Sequence, residues 1–463
     1  MPKQSSVSDV TINSVTLESS SFFGGAPYNL VPHIREINIY ESLFSNALTA
    51  NVTLDESLNL PEKFPIVGEE RVMFDISIPG MTQVFDDGTS LANELPMYVH
   101  KTSNRKLTAP QSQALSLELV STAYMKNIHS RISRAYCDMK PNKIAWDIYE
   151  KYLHLARWTS GIFEPTERIE QCVIPNWSPY KALNWLAGRS TSLKNPECAN
   201  YVFYETMSGS HFRSIDSMIV KDSMLLLSME PAATDPHKVE YLYNQVVKCD
   251  SIDLVHQPEM VKNINRGCYA SKLITHDIVT KKITQHSYDL FKSWKKTAHL
   301  NKIPPVLFAP RDKITYGEGV KPVSFGPSSD KNKENRSTSS SLNNFHDSVV
   351  LFSPKHNQMY AKNPNHFYDN KVEDWRLQRN SQMTLFDGTK FYIQMGGLPL
   401  LRVGMCVDIH MMSPEAYRKH EHSEDEVLSG KCMITALKHT ITQIGGNTEY
   451  KMVLELCKDG MGK

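Results

Sequence analysis

The sequence predicts a mostly β chain with an α+β middle module and two similar antiparallel β-barrel domains, one towards each end. Three observations point there. Apolar residues recur with the strand period of two near both ends. The period lengthens to the helical value in the middle. Short stretches of the first end also reappear, in the same order, at the second.

Residues 1–125 read as strands. Leu48, Ala50, Val52 and Leu54 alternate with Thr49, Asn51 and Thr53. Val72, Phe74, Ile76 and Ile78 alternate with Met73, Asp75 and Ser77, and Leu115, Leu117 and Leu119 with Ser116 and Glu118. Each pattern buries one face and leaves the other to solvent or a partner. Loops such as Ser19-Ser20-Ser21 and Asp86-Asp87-Gly88 separate them. Residues 126–245 form the middle module. Ile144, Ile148 and Tyr152 at four-residue spacing make one helix face after Pro141-Asn142. Ser178-Pro179 reads as an N-cap with proline at the first helical position, ahead of Ala182, Leu183, Leu186 and Ala187. Tyr201–Tyr204 and His211–Ile215, joined by Met207-Ser208-Gly209-Ser210, read as a hairpin. Residues 246–300 return to strands, as the first part of the second barrel. Residues 301–375 are an insertion, with a Ser-, Asn- and Lys-rich loop at 321–344 that has few apolar groups to offset ordering. Strands resume at Phe391, within a remainder of the second barrel over 376–463.

The repeat aligns Tyr40–Ser45 with His276–Thr280, an offset of 277 − 41 = 236 taken at Glu41 and Asp277. Gly68 with Asp75-Ile76 aligns with Gly404 and Asp408-Ile409, the glycines being 404 − 68 = 336 apart. Tyr98–Lys101 matches Thr435–Lys438, and Leu117–Leu119 matches Leu454–Leu456, both at an offset of 337. One insertion in the second copy, at the low-complexity stretch, accounts for the jump of about a hundred residues. A chain with two similar barrels presents two similar surfaces, and three such chains around an axis present six.

Composition narrows the function. At 463 residues and 52.7 kDa the chain is long enough for about three domains. Lys+Arg 51 against Asp+Glu 50 gives a formal net charge of +1, no general pull towards polyanions. Hydrophobic residues at 40% and charged residues at 22% exclude wholesale disorder. The longest apolar runs, such as Met224–Leu227, are far short of a membrane span. Met1–Ser6 has no apolar core, so no signal peptide is expected. The eight cysteines stand singly, with no CxxC pair, which predicts free thiols rather than disulfides or a zinc site.

Candidate chemistry is sparse. Glu164, Glu167 and Glu170 are three residues apart, which puts them on one exposed face rather than on the opposing walls a glycosidase needs. Gly209-Ser210-His211 lacks a nucleophile elbow. His420-Glu421-His422 with Glu424 and Asp425 has metal-like chemistry but reads as a solvated hairpin tip. Lys281, Lys282, Lys292, Lys295, Lys296 and Lys302 make a locally basic stretch, read as a soluble face with Trp294 as a packing anchor. Asp75 and Asp408 read as polar groups facing a lumen or another subunit. Phosphate-cradling glycine motifs are absent from the sequence. No catalytic, cofactor-binding or metal residue is expected, and the chain is read as a non-enzyme.

Several stretches carry a family resemblance: Ile37–Phe44 with Leu48-Thr49-Ala50; Pro175–Ala182; Phe203–Thr206 leading into Phe212–Asp216; and Leu428–Lys431 with Ile434–Ala436 and His439–Ile441. In this order they resemble the baseplate hub proteins of tailed bacteriophages, the tail tube initiators related to VgrG-type spike proteins. The resemblance covers most of the chain outside 301–375. It implies a structural virion protein with two tube-type barrels, assembled in the host cytoplasm into a homotrimer. Such a ring has pseudo-six-fold symmetry and joins the central spike to the first tail-tube ring. It nucleates tube assembly, contacts neighbouring baseplate proteins and leaves a channel through which DNA passes at ejection, without stable membrane insertion. Because the sequence ends without a β-helical needle, the spike is expected on a separate polypeptide. A cell-wall-degrading tail enzyme and a VgrG-like spike component are the alternatives.

Overall fold

The computed structural model describes residues 10–19, 26–57, 59–63, 66–78, 90–153, 161–229, 246–256, 259–304, 346–355, 370–412, 425, 427–444 and 447–460. Towards the N-terminus lie β1 (Thr11–Glu18), β2 (Tyr28–Asn29), β3 (Ile34–Ser42), β4 (Thr49–Glu56), the short α1 (Leu60–Lys63), β5 (Arg71–Ser77), β6 (Ser90–Ala109) and β7 (Ser112–Ser121). The period-two alternation has the expected result. Ala50, Val52 and Leu54 of β4 face the same core as Leu115, Leu117 and Leu119 of β7, all nearly solvent-free.

The middle contains α2 (Thr122–His129), β8 (Ile132–Met139), α3 (Pro141–Ile148), β9 (Glu170–Trp177), α4 (Pro179–Ala187), the hairpin β10 (Tyr201–Thr206) and β11 (Gly209–Ser214), α5 (Ile215–Ile219) and β12 (Leu226–Ser228). Ser178 occupies the N-cap position of α4 with proline following, but its hydroxyl makes no capping bond. Asn127 of α2 does this instead, its Oδ1 accepting from the Tyr180 amide at 2.8 Å. Proline at the first turn leaves one fewer amide to satisfy, and the neighbouring helix supplies the acceptor.

Then follow β13 (Cys249–His256), α6 (Met260–Asn265), β14 (Ala270–Asp277), β15 (Ile283–Asp289), α7 (Leu290–Trp294), β16 (Val350–Lys355), α8 (Val372–Leu385), β17 (Thr389–Gly396), β18 (Cys406–His410), β19 (Gly430–Ile444) and β20 (Asn447–Lys458). The main sheet has thirteen strands, with eleven in the order β13-β17-β20-β19-β3-β4-β7-β6-β5-β1-β2 and with β12 and β18 attached beside β19. Strands from both ends of the chain therefore form one continuous, mostly antiparallel sheet, joined where β19 pairs with β3. Among the described residues, no pairing closes either set into a barrel of its own. One apolar core, from Val10 to Cys457, underlies both sets.

The two sets share a strand order. β3-β4-β7-β6-β5 corresponds to β13-β17-β20-β19-β18, with every neighbouring pair antiparallel. They also share irregularities. A register shift between Ile34 and Glu36 recurs between Cys249 and Ser251, and one between Val99 and Lys101 recurs between Ile434 and Ala436. β-Bulges re-aim a strand, so two at equivalent places tie the sets together more firmly than alternation could.

The pairing also corrects the alignment. Ile37 and Ile39 pair with Val52 and Ala50 as Ile252 and Leu254 pair with Ile393 and Phe391, an offset of 252 − 37 = 215. The counterpart of β3 is thus β13, not the His276–Thr280 stretch. Val99 corresponds to Ile434, an offset of 434 − 99 = 335 rather than 337. A slip of two residues preserves which face is apolar, which is why periodicity did not reveal it.

Two further expectations change. Residues 270–289, expected to continue the second barrel, form a separate three-stranded sheet β15-β14-β16 with a strand from the 301–375 insertion. Residues 376–385, expected within the barrel, belong to α8. This helix packs against that sheet through Val372, Trp375, Leu377 and Leu385. Its inward face also carries Ser381, Gln382 and Thr384, so the apolar stripe is too broken to signal a helix. The 321–344 loop lies outside the described residues.

Candidate functional site: the joint between the two strand sets

Seven cross-strand pairs make the joint, from Ala436–Ser42 to Thr442–Glu36. The core face carries Ile37, Ile39, Leu437 and Ile441, each at most 2% exposed. Burying side chains of this size is worth about 1.5–3 kcal/mol each. On the opposite face, Thr440 Oγ1 donates to Asn38 Oδ1 at 2.9 Å.

Within that apolar row sit two titratable groups, Glu41 of β3 and His439 of β19, at 1% and 0% exposure. Glu41 Oε1 accepts from the Met207 amide at 2.8 Å and faces Arg402 Nε at 3.8 Å. Burial raises the Glu41 carboxyl above its ordinary value, and Arg402 opposes that rise. His439 Nδ1 and the Tyr450 hydroxyl are 2.6 Å apart. Burial first, then Arg402, push the imidazole well below its ordinary value, so it is neutral. Glu41 comes from the first set, Met207 from the middle hairpin, and Arg402, His439 and Tyr450 from the second. The joint therefore ties all three parts together.

The middle module clamps both sides. Asn46 Nδ2 donates to the Phe203 carbonyl at 2.7 Å, and the Leu48 amide donates to Glu205 Oε2 at 3.1 Å. On the other side, Lys431 Nζ donates to the carbonyls of Ile219 and Lys221 at 2.7 and 2.6 Å. Glu205 lines a cavity of about 40 Å³ with Leu48, Ser121, Tyr149 and Ser210. That space suits one or a few waters, not a sugar ring. Burial pushes the Glu205 carboxyl up to about 7.

The acidic trio does not share the one exposed face expected of it. Glu164 accepts from the Ser214 amide and from the Ser214 and Ser217 hydroxyls at 2.9, 3.1 and 2.7 Å. Glu170 opens β9 at 2% exposure, and only Glu167 is exposed. Extended backbone, not helix, spaces them. Ser210 and His211 lie buried in the β10–β11 hairpin. His211 Nδ1 accepts from the Ile162 amide, which leaves Nε2–H to donate to Thr206 Oγ1 at 3.1 Å. Burial and Arg213 lower this imidazole to about 4. His420, Glu421, His422 and Glu424 lie outside the described residues. Asp425 Oδ1 accepts from the amides of Val427 and Leu428, turning the chain into β19. Among the described residues, no three His, Cys, Asp or Glu side chains converge to hold a metal ion.

Lys281 and Lys282 are exposed at the β14–β15 turn, and Lys296 pairs with Glu197 at 3.1 Å. Trp294 is buried, stacks on His299 with ring centres 3.5 Å apart, and donates Nε1–H to the Lys302 carbonyl. Asp75 and Asp408 are half-buried, next in sequence to the buried Ile76 and Ile409. They are not equivalent positions, since the pairing aligns Asp408 with Met73. Arg402 and Tyr450 carried no sequence signal. Glu41 and His439 carried one, a titratable residue on the apolar face of a strand.

The tail protein from Neisseria meningitidis MC58 superposes with a TM-score of 0.51 and 11% identity, over 97% of each chain. The prophage MuSo2 43 kDa tail protein from Shewanella oneidensis gives 0.50 and 11%, over 97% of this chain and 99% of that one. The fold is that of phage tail proteins. At the level of fold this bears out the resemblance read from Ile37–Phe44 and the stretches after it. A chain of a Francisella PdpA–VgrG complex matches at a TM-score of only 0.42, with 12% identity, over 97% of this chain and 58% of that one. No protein-family model matches the sequence. No curated protein matches it either. Within this tail-protein fold, the joint is where the first strand set, the middle hairpin and the second strand set meet. Its chemistry is hydrogen bonding and apolar burial. No helix among the described residues is long and apolar enough to cross a membrane.

Proposed function

We propose that the chain is a structural baseplate hub protein of a phage tail. Three copies form a pseudo-six-fold ring that joins the central spike to the first tail-tube ring. The ring nucleates tube assembly, contacts neighbouring baseplate proteins, and leaves a channel for DNA. The observation that carries this reading is the duplicated strand set joined edge to edge at β3 and β19. A chain that already contains two like units in lateral register needs three copies to offer six. Each strand set then stands for one tube-type barrel position in the wall. Obligate ring interfaces commonly bury more than about 2,000 Å², so assembly is expected to persist on dilution once formed. The test is imaging of the purified protein, alone and with its spike, together with mass photometry. Three-fold particles with a near six-fold inner wall are expected. A protein that stays monomeric at all concentrations, and with the spike present, overturns the reading.

A further inference from the structure

The internal joint has two halves, and each half has an equivalent elsewhere in the chain that pairs with no further strand among the described residues. β19 pairs with β20 on one side; on its other side it pairs with β18 over residues 430–433 and then with β3 over 436–442. β6 is its counterpart, paired with β7 on one side and with β5 as far as Tyr98 on the other. Beyond Tyr98 that second side of β6 pairs with no strand among the described residues. β13 is the counterpart of β3, and among the described residues it pairs with β17 alone, so its outer edge is open.

Exposure marks both edges as unfinished. Leu107 corresponds through the β7 and β20 pairings to Ile441, yet Leu107 is 80% exposed where Ile441 is 1%. Ile252 and Leu254 are only half-buried, whereas their counterparts Ile37 and Ile39 are solvent-free under β19. Charge is complementary as well. The β13 edge carries exposed Asp250 and Asp253, and the open length of β6 carries exposed Lys101, Arg105 and Lys106.

We propose that β13 of one copy adds antiparallel to residues 103–108 of β6 in a second copy, repeating the internal joint between chains. Carrying the β3–β19 register across both equivalences sets Leu107 against Ile252, where the joint sets Ile441 against Ile37. It sets Lys106 against Asp253, where the joint sets Thr440 against Asn38. Asn104 and Arg105 sit in the bulge opposite Leu115, which absorbs the extra residue. The contact is head-to-tail, so each copy gives one edge and receives on the other, and the series closes into a ring or runs on. This rests on the ring reading only in requiring that copies associate.

The test uses full-length chains in a Cys137→Ser background, since Cys137 is exposed. One chain carries Leu107→Cys and the other Ile252→Cys. Directly opposed residues of an antiparallel pair lie within disulfide reach. A disulfide-linked heterodimer is expected on mixing under mild oxidation, mapped to 107 and 252, and none from either chain alone. Separately, Lys106→Asp or Asp253→Lys should each weaken association about five-fold per contact, and the double reversal should restore it. Thermal unfolding of each monomer checks that the variants fold. Oligomers that form without the 107–252 link and ignore the charge reversals overturn this edge while leaving the ring reading intact. A mapped link within open chains that never close upholds the edge and overturns the ring. No link at any concentration overturns the edge.

Discussion

Gly397 shows how tightly single residues are held at the joint. A Cβ there would lie 1.9 Å from the Tyr450 ring, and the Gly397 amide donates to the Tyr450 carbonyl at 2.9 Å. Neither the ring nor the backbone can move away, because Tyr450 is fully buried against His439. Gly397→Ala is therefore expected to destabilise the chain by about 2–3 kcal/mol, read as a lower urea midpoint at unchanged slope. Glu205 has the opposite character, a group that folding holds against its preference. Below its ordinary value of 4.5 the carboxyl is protonated whether the chain is folded or not. As pH rises towards about 7 the unfolded chain ionises first, so the folded state loses stability, and the loss is complete above that value. Glu205→Gln keeps an oxygen for the Leu48 amide and removes the charge. It should flatten stability between pH 4.5 and 7 and gain about 2 kcal/mol at pH 8, allowing for partial exposure. Denaturant titrations at a series of pH values decide this, and an unchanged slope refutes it.

Among the elements, α8 depends most on a partner the sequence does not advertise. Its Arg379 Nη1 donates to the carbonyls of Ala187, Ala199 and Tyr201 at 3.2, 3.0 and 2.9 Å. These oxygens belong to the middle module, so one buried cation pins α8 to it. Burial lowers this guanidinium to about 10, still charged at neutral pH. Arg379→Met keeps the length but leaves three carbonyls without their donor, at a cost of about 3–5 kcal/mol. Early protease cleavage near α8 would report the undocking; wild-type resistance would show that the cation is dispensable. The same logic holds Lys458, whose Nζ donates to the carbonyls of Val427, Leu428 and Ser429. Such side chains look like surface lysine and arginine in a sequence, because their acceptors are backbone atoms far along the chain. The strands were legible for the opposite reason. Leu115, Leu117 and Leu119 declare their face locally, whatever they pair with.

At the scale of the whole molecule, the shared core makes the two strand sets depend on each other. Residues 1–125, which the sequence suggests as a barrel domain, have Ile37 and Ile39 sealed by β19 from the far end of the chain. Expressed alone, that fragment leaves an apolar edge strand open, a template for aggregation. It is expected to lack a cooperative unfolding transition, while the full chain unfolds its main core in a single step. A sharp calorimetric transition for the fragment would show that each set is self-sufficient. The repeat was visible in the sequence because Leu117–Leu119 and Leu454–Leu456 keep their alternation and their order. Its true register was not, because β13 replaces Glu36, Asn38 and Tyr40 with Ser251, Asp253 and His256. Only the paired strands show that these are equivalent.

Strand and helix periods, the duplicated order of elements and the tail-protein resemblance were all legible in the amino acids alone. The periods depend on residues within a few positions of one another, and the repeat and the resemblance on short stretches that each keep their own local pattern. That the two strand sets share one sheet, that β14 leaves it, and that Glu41, Arg402 and His439 converge became visible only in the folded chain. Strand partners are chosen by hydrogen-bond edges that look alike in every strand, and the choice is settled by which pairing buries the whole apolar face at once.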